Sequence, residues 1–192
     1  MLDQIPFVQA RYWKAADRAD VKYVVIHTME LPCQVGIAER LADRMAALPA
    51  GLPKEKQKSA HYYIDPDEIY QGVIEKHVAF HCRKANREGI GIEHSAYAYD
   101  VFAEGKMIAR ATDFASPEAL AMLERSAELV ASICKRWSIP VVRLMPGQIA
   151  SGRGIVGHVD VMTEFPGSGT HRDPGPRWPW SMYLQLVKQA MA

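Results

Sequence analysis

The stretch VKYVVIHT, residues 21–28, is a short run of apolar and β-branched residues that turns polar only at its end. A run of this length and composition reads as a buried strand, here ending at His27. A side chain at a strand end is aimed at the rim of a sheet by a rigid element, so His27 becomes the first candidate functional residue.

Working outward, residues 34–48 place Ile37, Leu41, Met45 and Leu48 at helical spacing. GLPKEKQKS is a polar loop, and SAHYYIDPDEIYQGVI reads as two short strands around a turn at Asp65-Pro66-Asp67. IGIEHSA, residues 90–96, is a further strand. A helix is expected over Pro117–Trp137, with Ser116 as N-cap, Pro117 at the first helical position, and Lys135 and Arg136 in the last turn. Its apolar stripe is Leu120, Leu123, Ala127, Val130, Cys134 and Trp137. IPVVRLM and GIVGHVD read as later extended segments, and a last helix starts near Pro179. Strands interleaved with helices predict an α/β domain, with one central mixed sheet and helices packed on it.

The bulk numbers exclude several classes. A chain of 192 residues fits a single domain with a sizeable core, about residues 21–190. The formal net charge is +1, and no run of Lys or Arg exceeds two residues, so nucleic acid is not an expected partner. The three cysteines, Cys33, Cys82 and Cys134, are scattered without a C-x-x-C pair, which predicts reduced thiols. No window is apolar enough to insert in a membrane, and nothing implies a protein partner. The N-terminus MLDQIPFVQARYWKAADRAD, with Asp3 and no apolar core, does not read as a signal peptide, so the expected location is a cytoplasm.

Seven histidines are present, and most single histidines are core or surface residues. Two stand out: His27, and His158 in the apolar run GIVGHVD. A third group belongs with them. In GTHRDPGPRWPW, Gly169–Trp180, Asp173 precedes a Pro-Gly-Pro run that restricts the backbone on both sides and so aims the carboxylate. Two histidines and one carboxylate form a zinc set of catalytic type, with the fourth tetrahedral position open for a water. A rival set also fits the spacing: His27-x-x-Glu30, as in zinc carboxypeptidases, with His158 as third ligand. That set leaves the stiff Asp173 loop unexplained.

The motifs YVVIHTME, SAHYYID, VAFHCRK, GIGIEHSAY, GIVGHVDV and HRDPGPRWPW occur in the order seen in type-2 N-acetylmuramoyl-L-alanine amidases. The chain resembles that family from about Val21 to Trp180, and most resembles the amidase modules of phage endolysins directed at actinobacterial walls. The resemblance implies a central mixed sheet flanked by helices, with one Zn2+ in a surface groove held by His27, His158 and Asp173. It implies that Glu93 handles the proton of the attacking water. It places His171 where many relatives carry an oxyanion-stabilising lysine. His61 and His81 fall at cleft-lining, substrate-binding positions, with Phe80 where a Trp is usual. His77 and His94 read as structural or solvent-facing, and Arg172 and Arg177 as a solvated loop face.

The implied activity is zinc-dependent hydrolysis of the amide between N-acetylmuramic acid and L-alanine in peptidoglycan. The setting is an endolysin or its catalytic module, held in the host cytoplasm until release. The alternatives are a recycling amidase acting on soluble muropeptides, or a peptidoglycan-binding module without catalysis.

Overall fold

The computed structural model describes residues 4–166 and 170–192, so Asp3 and Gly169 of the stretches quoted above lie outside the described residues. The strands in chain order are β1 (Trp13–Lys14), β2 (Tyr23–Thr28), β3 (Tyr62–Ile64), β4 (Ile69–Gln71), β5 (Val78–Ala79), β6 (Gly89–His94), β7 (Val101–Ala103), β8 (Lys106–Ala109) and β9 (Gly154–Gly157). The helices are α1 (Ile37–Ala46), α2 (Pro117–Trp137), α3 (His158–Glu164) and α4 (Trp180–Met191). The central sheet runs β4-β3-β6-β2-β9. Its β3-β6, β6-β2 and β2-β9 pairs are parallel, and the β3-β4 hairpin is antiparallel. The sheet is therefore mixed and flanked by helices.

All six residues of β2 are buried, because the strand has neighbours on both edges and cover on both faces. Alternation along the strand divides the core. Val24 and Ile26 pack with Ile90, Ile92, Ile155 and the apolar faces of α2 and α4. Tyr23 and Val25 point the other way, toward Leu144, Ile149 and Val161. On that second face, Ala38, Ala42 and Met45 of α1 cover Tyr63. A groove on this face is lined by Leu41 and Met45 of α1 and by His27 and Glu93 near the ends of β2 and β6.

Helix α2 spans Pro117–Trp137, as its caps predict: Ser116 Oγ accepts the Ala119 N–H at 3.3 Å, and Ser138 ends the helix in the left-handed region. Two expectations change. IPVVRLM forms no strand; its only ladder contact is an isolated parallel bridge between Arg143 and Ile155. GIVGHVD is extended only to Gly157, and His158 then opens α3. Asp160 sets this switch: its Oδ2 accepts the Gly157 N–H at 3.0 Å and lies 3.5 Å from Arg143 Nη2. A carboxylate bonded back to an N-cap amide satisfies a donor that the first turn leaves free. The three cysteines form no disulfide, with Cys82 and Cys134 buried and Cys33 partly so.

Candidate metal centre

The sheet register brings the site together. Ile26 pairs with Gly157, so the next residue on each side, His27 and His158, emerge side by side with ring centroids 4.5 Å apart. Asp173 comes from the loop before α4. Its carbonyl accepts the Val159 N–H at 2.8 Å, and Tyr99 Oη donates to the Arg172 carbonyl at 3.2 Å. Gly175 has φ +80°, and a Cβ there would lie 2.8 Å from the Ala98 carbonyl oxygen, so only glycine lets this turn sit against the loop after β6. The loop is fixed at both ends. Its carboxylate lies 3.0 Å from His27 Nδ1 and 3.1 Å from His158 Nδ1.

The ligand atoms of His27, His158 and Asp173 lie within 4.8 Å of one another, and all three residues are buried. Burial alone would raise the Asp173 carboxyl, but the hydrogen bonds from His158 and His27, with His171 3.7 Å away, outweigh it and hold the group well below the usual carboxylate range. His158 is pushed down to about 4, by burial first and then by the neighbouring His27. Two imidazole nitrogens and one ionised carboxylate, converging without an intervening side chain, match the donor types and number of a three-ligand zinc site. The residues fit the ion.

Glu93 follows from the β6 register. It pairs with His27 on one side and with Tyr63 on the other, and lines the groove beside the ligand cluster. Burial pushes its carboxyl up to about 7; His27 opposes this and Asp173 reinforces it. His171 stacks on His158 with ring centroids 4.3 Å apart, and its side chain is 64% exposed at the groove mouth. The groove holds about 1280 Å³, and Arg44, Lys54, Lys56, Lys58 and Arg83 line it together with Glu55.

Other sequence candidates go elsewhere. Glu30 is set on a loop at φ 53°, where its carboxylate takes the Ala98 N–H at 3.0 Å and the Thr28 hydroxyl at 2.7 Å, outside the ligand cluster. His61 is fully buried beneath the groove rather than on its wall. Gly91 N–H donates to its Nδ1 at 3.0 Å, and its Nε2 faces the His77 carbonyl at 3.1 Å. His81 reaches the groove but bonds to His27, with His81 Nδ1 and His27 Nε2 3.0 Å apart. His94 is buried, bonded to the His27 carbonyl at 2.9 Å and to Ser126 at 2.7 Å. His77 stacks on Trp13, and Arg172 lies over the Tyr99 ring. The sequence reading passed over Asp160 and Gly91. A glycine inside the apolar strand GIGIE signals a close approach, which is the signal that could have found the second.

The fold is a mixed α/β sheet flanked by helices, and its site gathers two histidines and an aspartate that could hold a metal ion. Residues 17–176 match the family model described as N-acetylmuramoyl-L-alanine amidase, and the chain belongs to that family. It is 32% identical over 145 residues to N-acetylmuramoyl-L-alanine amidase A of Achromobacter lyticus, covering 68% of this chain and 69% of that one. Its fold is similar to Staphylococcus aureus hydrolase AmiA in complex with its ligand, with a TM-score of 0.68, 12% identity, and coverage of 100% of this chain and 84% of that chain. It is also similar to Escherichia coli AmiD complexed with anhydro-N-acetylmuramic acid-L-Ala-D-γ-Glu-L-Lys, with a TM-score of 0.57, 22% identity, and coverage of 90% and 60%.

Proposed function

We propose that this amidase is a zinc enzyme that hydrolyses the bond between N-acetylmuramic acid and L-alanine, acting on the cell wall as an endolysin or its catalytic module. The observation that carries this reading is the convergence of His27, His158 and Asp173 within 4.8 Å at the floor of a groove that also presents Glu93. His27, His158 and Asp173 would hold one zinc ion, which when bound supplies Lewis acidity for attack on an amide.

The chain's own groups supply the rest. Glu93, with its carboxyl held up to about 7, is suited both to take a proton from water and to return one to the leaving alanine amine. A ring N–H of His171 at the groove mouth is positioned to polarise the carbonyl as negative charge develops on its oxygen. The fixed Asp173 loop and the α3 N-terminus keep the donors from moving as charge shifts, which is the preorganisation such catalysis needs.

The groove holds about 1280 Å³ and is lined from α1 to His158, which supports a substrate larger than a single residue. The experiment is to compare turnover on intact peptidoglycan with turnover on soluble muropeptides. Preference for the intact wall supports the lysin. Activity confined to soluble fragments would replace it with a recycling amidase, and binding without new alanine amino termini would leave only recognition.

A further inference from the structure

We propose that His81 is a positioning residue for His27: with a metal bound, His81 Nδ1 accepts the His27 Nε2–H, which leaves the lone pair of His27 Nδ1 to the ion in place of the proton that Nδ1 shares with Asp173 in the metal-free protein. The inference rests on the zinc-site assignment above. It moves His81 from the substrate to the ligand shell.

A neutral imidazole has one N–H and one lone pair. If His27 Nδ1 is to give its lone pair to a metal, Nε2 carries the proton and needs an acceptor. The geometry supplies one. His27 Nδ1 lies 3.0 Å from Asp173 Oδ2, and on the other side of the ring Nε2 lies 3.0 Å from His81 Nδ1. The two rings meet edge-on at 88°, which brings the His81 nitrogen to the edge of the His27 ring.

The seat of His81 is built for this contact. Its imidazole lies over Gly91, where a Cβ would fall 2.4 Å from His81 Cγ and 2.5 Å from Nδ1. Gly91 pairs with Val25, two residues before His27 on β2, so the missing side chain opens the sheet face beside the ligand. Asn86 Oδ1 accepts the backbone N–H groups of His81 and Cys82 at 3.0 and 2.6 Å, which fixes the loop carrying the ring. Among the described residues His81 Nε2 has no hydrogen-bond partner. The bond to His27 is thus the polar contact that accounts for the ring's orientation.

The test measures zinc affinity by competition with a chromophoric chelator, and the visible spectrum of the cobalt-substituted protein. The proteins are wild type, His81→Phe, His81→Asn, Gly91→Ala and Asp173→Ala. Phe keeps a planar ring but removes the acceptor; Asn places an amide oxygen near the Nδ1 position. Losing an outer-shell partner of this kind costs about 10–100-fold in metal affinity. That loss and an altered cobalt spectrum are expected for His81→Phe and Gly91→Ala, with affinity largely restored in His81→Asn. Melting of each metal-free variant near the wild-type temperature identifies the loss as one of positioning rather than folding. Wild-type affinity and spectrum in His81→Phe would overturn the inference alone. Failure of the wild type to bind zinc, or undiminished binding by Asp173→Ala, would overturn the zinc site with it.

Discussion

His27 and Glu93 stand opposite each other in register on the parallel strands β2 and β6, with their side chains on the same face of the sheet. One strand pair therefore sets a proposed metal ligand beside a carboxyl pushed up to about 7 by burial. Glu93→Gln keeps the shape and removes the proton acceptor. It should lower kcat by about 10²–10⁴-fold while zinc content stays at the wild-type level. Steady-state kinetics on a muramyl peptide, with metal analysis of the same sample, checks both parts.

His171 touches the ligand cluster from the outside, stacked on His158 and open to solvent. His171→Ala should reduce kcat by about 10²–10³-fold, as for loss of one oxyanion donor, and His171→Lys should restore much of it. Zinc affinity should change only a few-fold. Full turnover in His171→Ala would remove this residue from the mechanism.

Much of this was legible in the sequence, for identifiable reasons. The β2 run is apolar because both of its faces are covered, and α2 carries its own caps, so both could be read locally. The Asp173 loop announces its stiffness through Pro174, Gly175 and Pro176. What could not be read depends on pairing across the sheet or on a single local capping bond. His61 sits near the site in the chain's motif order, yet its ring is buried under β6 because Gly91 N–H and the His77 carbonyl claim it. GIVGHVD looks extended throughout, but Asp160 folds back on Gly157 and turns the second half into helix. Neither bond leaves a periodicity to detect.

Glu30 is a useful control because its spacing from His27 imitates a ligand pair. Its carboxylate instead ties Thr28 to Ala98 on an exposed loop. Glu30→Gln retains an acceptor for these donors. Activity and zinc stoichiometry should be unchanged, with a stability loss of no more than about 1 kcal/mol in urea denaturation.

Two of the buried histidines that make the metal-free protein acid-sensitive lie away from the ligand cluster. His61 is pushed down to about 3 by burial and the nearby Arg18 charge, and His94 to about 3 by burial. The unfolded chain takes up these protons near its ordinary value of about 6.5, while the folded chain refuses them until about 3. The unfolded state binds more protons throughout that window, so stability is full above it and falls as pH drops from about 6.5 toward 3. Melting temperatures of the metal-free protein should decline across this range. His94→Gln should flatten the decline while lowering stability at neutral pH, where it disturbs the bonds to His27 and Ser126.

The central claim is the ligand set, and a digest of purified cell wall tests it most directly. New alanine amino termini would be counted for wild type, Asp173→Ala and Glu30→Gln, with and without a zinc chelator. The account predicts chelator-sensitive release by wild type and Glu30→Gln, and none by Asp173→Ala. Release that survives Asp173→Ala but vanishes with Glu30→Gln would contradict it and move the metal to the other carboxylate.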